Sequence, residues 1–248
     1  MKKYLITILI FIGCLFAYRA QAAITFNSSS TAIFNGFSAG KTVTSTLSVS
    51  SNANRYAIAC ISVWQDVAGT GTASGASIGG VAMTKIVTST RQASMAVEAW
   101  GLIAPASGSR NVSTTIVGNI DAVKVVWSQF DGVDQTNPVE ATSTGLATLK
   151  SVTTTITTVN ANAVINECVS RFGTEALTPK ASQTQIYNNV TGSVGAAGSY
   201  KNIASPGSQT VGWTWITNDR DASEAAVSMK PAAAAQVATR RRFPGISR

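Results

Sequence analysis

The chain has 248 residues, of which 12% are charged and 45% hydrophobic, with a formal net charge of +8 and no histidine. Without histidine, Ser-His-Asp and Cys-His nucleophile systems and histidine-ligated zinc or iron sites are excluded. Of the 19 cations, Lys2, Lys3 and Arg19 lie near the start and Arg240, Arg241, Arg242 and Arg248 near the end; the 12 between them nearly balance the 11 acids. The positive charge therefore belongs to the ends, and no basic patch for nucleic acid is expected in the body.

At the start, Met1-Lys2-Lys3, an apolar run from Tyr4 to Tyr18 and then Ala20-Gln21-Ala22 have the charged, apolar and small-residue order of a signal peptide spanning residues 1–22. The run of about fifteen residues is shorter than the roughly 20 needed by a spanning helix, so no membrane span is expected after cleavage. Phe11-Ile12-Gly13-Cys14 loosely resembles a lipobox, which leaves a lipoprotein carried by Cys14 as the minority reading. The expected location is secreted, extracellular or at the cell surface, an oxidising setting in which Cys60 and Cys168 either pair or remain two buried thiols.

Residues 23–231 read as one all-β domain, a single two-sheet antiparallel β-sandwich of the jelly-roll or concanavalin-like kind. Glycine, Ser, Thr, Val and Ala are abundant and strong helix formers are scarce, and short alternating segments are cut by Gly, Asn and Pro. Uncharged Ile24 to Phe37 is able to pair in trans along a sheet edge, the basis for a self-associating subunit. Val43 to Ser50 and Val152 to Val159 carry rows of hydroxyls that suit a half-exposed strand. Arg55 to Trp64 is apolar on both faces and predicts a central strand covered on both sides. Gly79-Gly80 predicts a tight hairpin turn between 77–79 and 81–88. Further strands are expected at 95–103, 111–117, 122–130, 152–159, 163–172, 183–187, 209–216 and 222–229, and residues 232–248 as a flexible basic tail.

Several segments occur in a familiar order: Arg55-Tyr-Ala-Ile-Ala-Cys-Ile-Ser62, Ile78-Gly-Gly-Val-Ala-Met-Thr84, Val97-Glu-Ala-Trp100, Gly132-Val-Asp-Gln-Thr-Asn-Pro138, Gln183-Thr-Gln-Ile-Tyr187, Gly198-Ser-Tyr200 and Val211-Gly-Trp213. Together they resemble a family of secreted bacterial domains of about 200 residues. The resemblance implies a jelly-roll-like β-sandwich without assigned activity, and Cys60, Cys168 and Trp215 depart from its pattern. It transfers no catalytic residue.

Candidate sites follow from residue type. Trp213 and Trp215 lie on one side of a predicted strand, and with Tyr187 and Tyr200 they are the candidate contacts for a sugar ring, against a core role. Glu98 and Glu167, inside predicted strands, are the candidate pair for a carboxylate-only glycan-active enzyme, against solvated or arginine-paired acids. Asp131, Asp134 and Glu140 flank a Gly- and Pro-containing turn and are candidate calcium ligands, against an Asx turn at Asp134. The leading expectation is an exported, non-catalytic sandwich for surface binding or adhesion, with carbohydrate as ligand and no other cofactor. Self-association is the alternative, and the enzyme the third reading.

Overall fold

The β-branched and small residues that dominate the chain do form strands nearly throughout. A computed structural model describes residues 21–65, 71–91, 94–192, 194–216 and 220–234. The predicted signal sequence through residue 20, with Cys14, and the Arg-rich tail beyond residue 234 lie outside the described residues.

In chain order the strands are β1 (Thr25–Ser38), β2 (Lys41–Val49), β3 (Tyr56–Trp64), β4 (Thr72–Ile78), β5 (Val81–Ala82), β6 (Thr84–Arg91), β7 (Met95–Ile103), β8 (Gly108–Val117) and β9 (Ile120–Asp131). They continue with β10 (Val139–Ala147), β11 (Ser151–Thr158), β12 (Ala163–Phe172), β13 (Thr178–Pro179), β14 (Thr184–Asn189), β15 (Val194–Ile203), β16 (Gly207–Thr214) and β17 (Ala222–Met229). All pairings are antiparallel. The strands make four sheets where the sequence suggested two: inner sheet 1 (β1-β9-β3-β7-β6), outer sheet 1 (β2-β8-β4-β5), inner sheet 2 (β10-β17-β12-β15-β14) and outer sheet 2 (β11-β16-β13).

The buried residues place these sheets in a stack. Val43, Leu47, Val112 and Ile116 of outer sheet 1 pack on Ala59, Ile61, Val125 and Trp127 of inner sheet 1. The opposite face of inner sheet 1, with Tyr56, Ile58, Cys60, Val126 and Phe130, packs on Val164, Cys168, Ala225, Val227 and Met229 of inner sheet 2. Beyond that, Glu167, Val169 and Ala226 face outer sheet 2 through Val152, Ile156, Val211 and Trp213. Every residue of β3, β12 and β17 is buried or nearly so because both of their sheets are covered on both faces, as expected for Arg55 to Trp64.

The first half of the chain is repeated by the second. Replacing β1, β2, β3, β4, β6, β7, β8 and β9 by β10, β11, β12, β13, β14, β15, β16 and β17 converts each sheet order of the first half into that of the second, with β5 left over. The registers agree as well. Cys60 pairs with Val126 and Ala99, and Cys168 with Ala225 and Gly198. Val49 opposite Gly108 becomes Thr158 opposite Gly207. Irregularities repeat too: a bulge at Phe26/Ser28 returns at Val139/Ala141, and one at Lys85/Val87 returns at Gln185/Tyr187. Asn54 and Asn162, the residues before the two central strands, both take φ of 57°, which asparagine tolerates better than most. Ser30 Oγ meets Ser45 Oγ at 2.6 Å and its counterpart Ser143 Oγ meets Thr154 Oγ1 at 2.5 Å, joining inner to outer sheet in each half.

Equivalent residues also meet each other where the halves join. Cys60 and Cys168 form a disulfide, and the rings of Trp64 and Phe172 lie 5.7 Å apart. Self-contact of equivalent positions is the mark of an isologous interface, here between two halves of one chain. The symmetry is approximate. On one side only, the buried Lys124 ammonium donates to the carbonyls of Asn189 (3.1 Å), Thr191 (2.7 Å) and Val194, tying the β14–β15 connection to inner sheet 1.

Candidate functional site

The aromatic residues nominated from sequence are not assembled on a surface. Trp213 and Trp215 do share one side of β16 and its extension, but that side faces inner sheet 2, leaving them 0% and 4% exposed. The Trp213 indole N–H donates to Glu167 Oε2, and the Arg171 guanidinium stacks 4.8 Å from the Trp215 ring. Their large apolar area is worth more buried than open, and the expected sugar-stacking pair is corrected to core. Tyr187 and Tyr200 lie instead between the inner sheets. Tyr187 packs beside the disulfide with its hydroxyl buried, and Tyr200 stacks on Phe26 at 5.3 Å and 13°.

The two nominated glutamates are buried in different interiors. Glu98 lies between outer and inner sheet 1, accepting from the Trp100 indole N–H at 2.7 Å and Ala73 N–H at 3.3 Å, and pairing with Lys85 Nζ at 2.9 Å. Glu167 lies between inner and outer sheet 2. With stacked sheets about 10 Å apart, the two interiors are roughly 20 Å from each other. Glycosidase carboxyls are at most about 10 Å apart, so Glu98 and Glu167 do not form such a pair.

Glu167 has a partner that sequence reasoning missed. Glu224 on the neighbouring strand β17 faces the same interior, and neither of its oxygens meets an N–H or O–H donor among the described residues. Burial raises the pKa of Glu167, against the pull of hydrogen bonds from Trp213 and Ser199. Burial also raises that of Glu224, and the Glu167 charge pushes it further. Two carboxyls facing one dry interior favour the protonated form over a pair of unshielded negative charges. Along β17 Glu224 alternates with Ala225, Val227 and Met229; the signal in the sequence that its own face is buried too is the small, uncharged character of Ala226 and Ser228, which a solvent face seldom shows.

Asp131, Asp134 and Glu140 each have their own donors. Asp131 accepts from Asn27, Ser50, Asn52 and Gln129; burial opposes its ionisation, but these four hydrogen bonds outweigh burial and hold its pKa low. Asp134 caps the turn through the N–H groups of Asn137 and Thr136 and pairs with Lys230 at 2.9 Å, which is the Asx-turn role. Glu140 accepts from Asn160 and Ser228. Among the described residues no group of three His, Cys, Asp or Glu side chains is placed to hold a metal ion, so the three nominated calcium ligands are not brought together.

Two other features remain open to solvent. The outer sheets turn hydroxyl-bearing faces outward: Thr44, Thr46 and Ser48 of β2 beside Asn111, Ser113 and Thr115 of β8, and their counterparts Thr153, Thr155, Thr157, Thr210 and Thr214. On outer sheet 1 a shallow depression of about 460 Å³ lies over Thr44, Thr46, Ser77 and Asn111. The second feature is an apolar pocket of about 440 Å³ where β3, β6 and β7 meet the start of β10. No family model matches the chain, and no curated protein and no solved structure matches it.

Proposed function

We propose that the protein is an exported, non-catalytic binding protein of the cell surface or extracellular space, and that it holds a neutral polysaccharide on the outward faces of its two outer sheets. The observation that carries this reading is the repetition of an uncharged hydroxyl face in both halves, at equivalent positions of β2 and β11. Each hydroxyl both donates and accepts. Their spacing, about 6.7 Å along a strand and 4.8 Å between strands, presents a rigid grid to a polyhydroxylated chain. Individually weak hydrogen bonds then add up over a surface that offers nothing to an anionic polymer. Because the faces lie at opposite ends of the stack, one molecule engages two ligand chains, and avidity follows from the geometry.

Export rests on the first 22 residues, and the bacterial family rests on the ordered motifs. We infer one jelly roll per half, a reading supported by the order β1-β9-β3-β7 beside β2-β8-β4 and its counterpart in the second half. The carboxyl groups give no reason to propose chemistry, since Glu98, Glu167 and Glu224 are fully buried.

Polysaccharide affinity electrophoresis with the exported chain tests the reading. Retardation by at least one neutral glucan, mannan or chitin-type polymer is expected. Thr46→Lys and Thr155→Lys each weaken it, and the double variant removes it. Retardation by none of these polymers, or a double variant as retarded as the parent, overturns the proposal.

Self-association is the second reading, favoured by β1. This 14-residue edge strand has no charge and no proline, and exposes Ile33 (42%) and Phe37 (71%). Such an edge is a template for another strand. Light scattering that rises with concentration, and that Ile33→Lys abolishes, distinguishes it from the first.

A further inference from the structure

The internal repeat predicts two equivalent junctions between the inner sheets, and they are filled differently. On one side Phe26 of β1 and Tyr200 of β15 cross the gap and stack, with Phe130 edge-on to both at 5.6 Å and 6.1 Å. By register, the counterpart of Phe26 is Val139 and the counterpart of Tyr200 is Gly101, while Tyr56 stands where the second half has Val164. Tyr56 compensates for Gly101: a Cβ at residue 101 would lie 1.9 Å from the Tyr56 hydroxyl oxygen. Nothing compensates for the absent Phe26 ring. The pocket of about 440 Å³ opens there, over Tyr56, Ile86, Gly101, Leu102, Ile103 and Val139.

The lining states the ligand chemistry. Its volume lies in the range of small-molecule sites. No charged side chain lines it, so an ion entering would lose its hydration without compensation. Tyr56 is 2% exposed, and its hydroxyl has no hydrogen-bond partner among the described residues. Tyr56 lines the apolar pocket, and a phenol hydroxyl there without a protein partner is left to bond an entering group. We propose that the pocket binds a small neutral molecule with a flat ring and one hydrogen-bonding oxygen, the ring in the space that Phe26 fills on the other side and the oxygen on the Tyr56 hydroxyl. This site is independent of the hydroxyl faces.

The test uses 6-propionyl-2-dimethylaminonaphthalene, a flat neutral fluorophore with one carbonyl oxygen, titrated into the full exported chain. Saturable binding of one probe per chain with blue-shifted emission is expected. Ile103→Trp fills the mouth from a residue already 42% exposed and is expected to weaken binding at least about tenfold with the melting temperature unchanged. Tyr56→Phe keeps the ring and removes the hydroxyl, for a loss of about two- to tenfold. Phe26→Val recreates the vacancy in the other junction and is expected to raise the stoichiometry to two. Absence of saturable binding, or Ile103→Trp binding as the parent does, overturns the site. Equal affinity in Tyr56→Phe overturns the hydrogen bond, and a stoichiometry that stays at one in Phe26→Val overturns the account of the vacancy.

Discussion

The Cys60–Cys168 disulfide joins equivalent strands of the two halves, and removing it gives a measurable account of how much the halves depend on each other. The two cysteines are 108 residues apart in sequence. For a loop of that length the chain-entropy expression gives about 4.8 kcal/mol of stabilisation at 25 °C, the denatured chain losing that much freedom when cross-linked. The native state tolerates the loss, because the sulfurs sit among Val97, Val126 and Ala225, where a small apolar side chain suffices. Cys60→Ala with Cys168→Ala therefore folds, and with a urea slope of about 2.5 kcal/mol/M its midpoint drops by roughly 2 M. Urea unfolding followed by tryptophan fluorescence reads this, and the parent protein treated with a phosphine reductant serves as an independent form of the same perturbation. A midpoint within about 0.3 M of the oxidised parent in both cases would refute the reasoning: the halves would then be held by their packed faces, with the covalent link adding nothing.

Two further outcomes follow from the buried interior. Glu167 and Glu224 have folded pKa values raised above the unfolded value of about 4.3, so the folded protein keeps protons that the unfolded chain releases. Stability from this pair is thus full below about pH 4.3 and falls as pH rises through the raised range. Calorimetry is expected to give a higher melting temperature at pH 5 than at pH 8, with Glu224→Gln flattening the difference; a rising profile sinks this account of the pair. At Gly212, φ is 146° and a Cβ would lie 2.2 Å from the Val152 carbonyl oxygen. Gly212→Ala is expected to push β11 from β16 and cost about 3 kcal/mol or more, read as an earlier urea midpoint; a loss under about 1 kcal/mol would contradict that packing.

What the sequence made legible was local. The two-faced apolar run of Arg55 to Trp64 located the central strand, and Gly79-Gly80 located the turn between β4 and β5, where φ is 57° and 81°. β10 and β15 were passed over because Val139 to Ala147 mixes single apolar residues with Thr, Ser and Gly, and Val194 to Ile203 is rich in Gly and Ala, so neither shows a contrast between faces. The repeat was also missed, although it is written in the chain. Val43-Thr-Ser-Thr-Leu-Ser-Val49 answers Val152-Thr-Thr-Thr-Ile-Thr-Thr158, and Gly108-Ser-Arg-Asn-Val-Ser-Thr-Thr115 answers Gly207-Ser-Gln-Thr-Val-Gly-Trp-Thr214. No fixed period connects these pairs, since the connections differ in length between the halves, and a search for regular spacing passes over them. The choice between platform and core for Trp213 and Trp215 needed the structure for a related reason: alternation separates the two faces of a strand without saying that both are covered.

Inside the two halves the same backbone frame carries different side chains. Ala59, Trp100, Thr114 and Trp127 of the first half stand at the positions of Glu167, Ser199, Trp213 and Ala226 in the second. Large residues have changed places between these positions, and the first half carries two of these tryptophans where the second carries one, so the two interiors are packed by different side chains on one frame. The frame survives because bulges, asparagine turns and ladder hydrogen bonds fix it independently of which side chain fills which space. Against that freedom, the outward positions of β2 and β11 keep Thr44, Thr46 and Ser48 as Thr153, Thr155 and Thr157. Folding constrains these positions least, since an exposed strand residue can be exchanged at a cost within about 0.5 kcal/mol, and Val, Tyr or Ile would serve the pleat as well as Thr. Retention of the hydroxyl where packing does not require it, alongside repacking where packing is strictest, is what a bound surface would impose on the outer sheets.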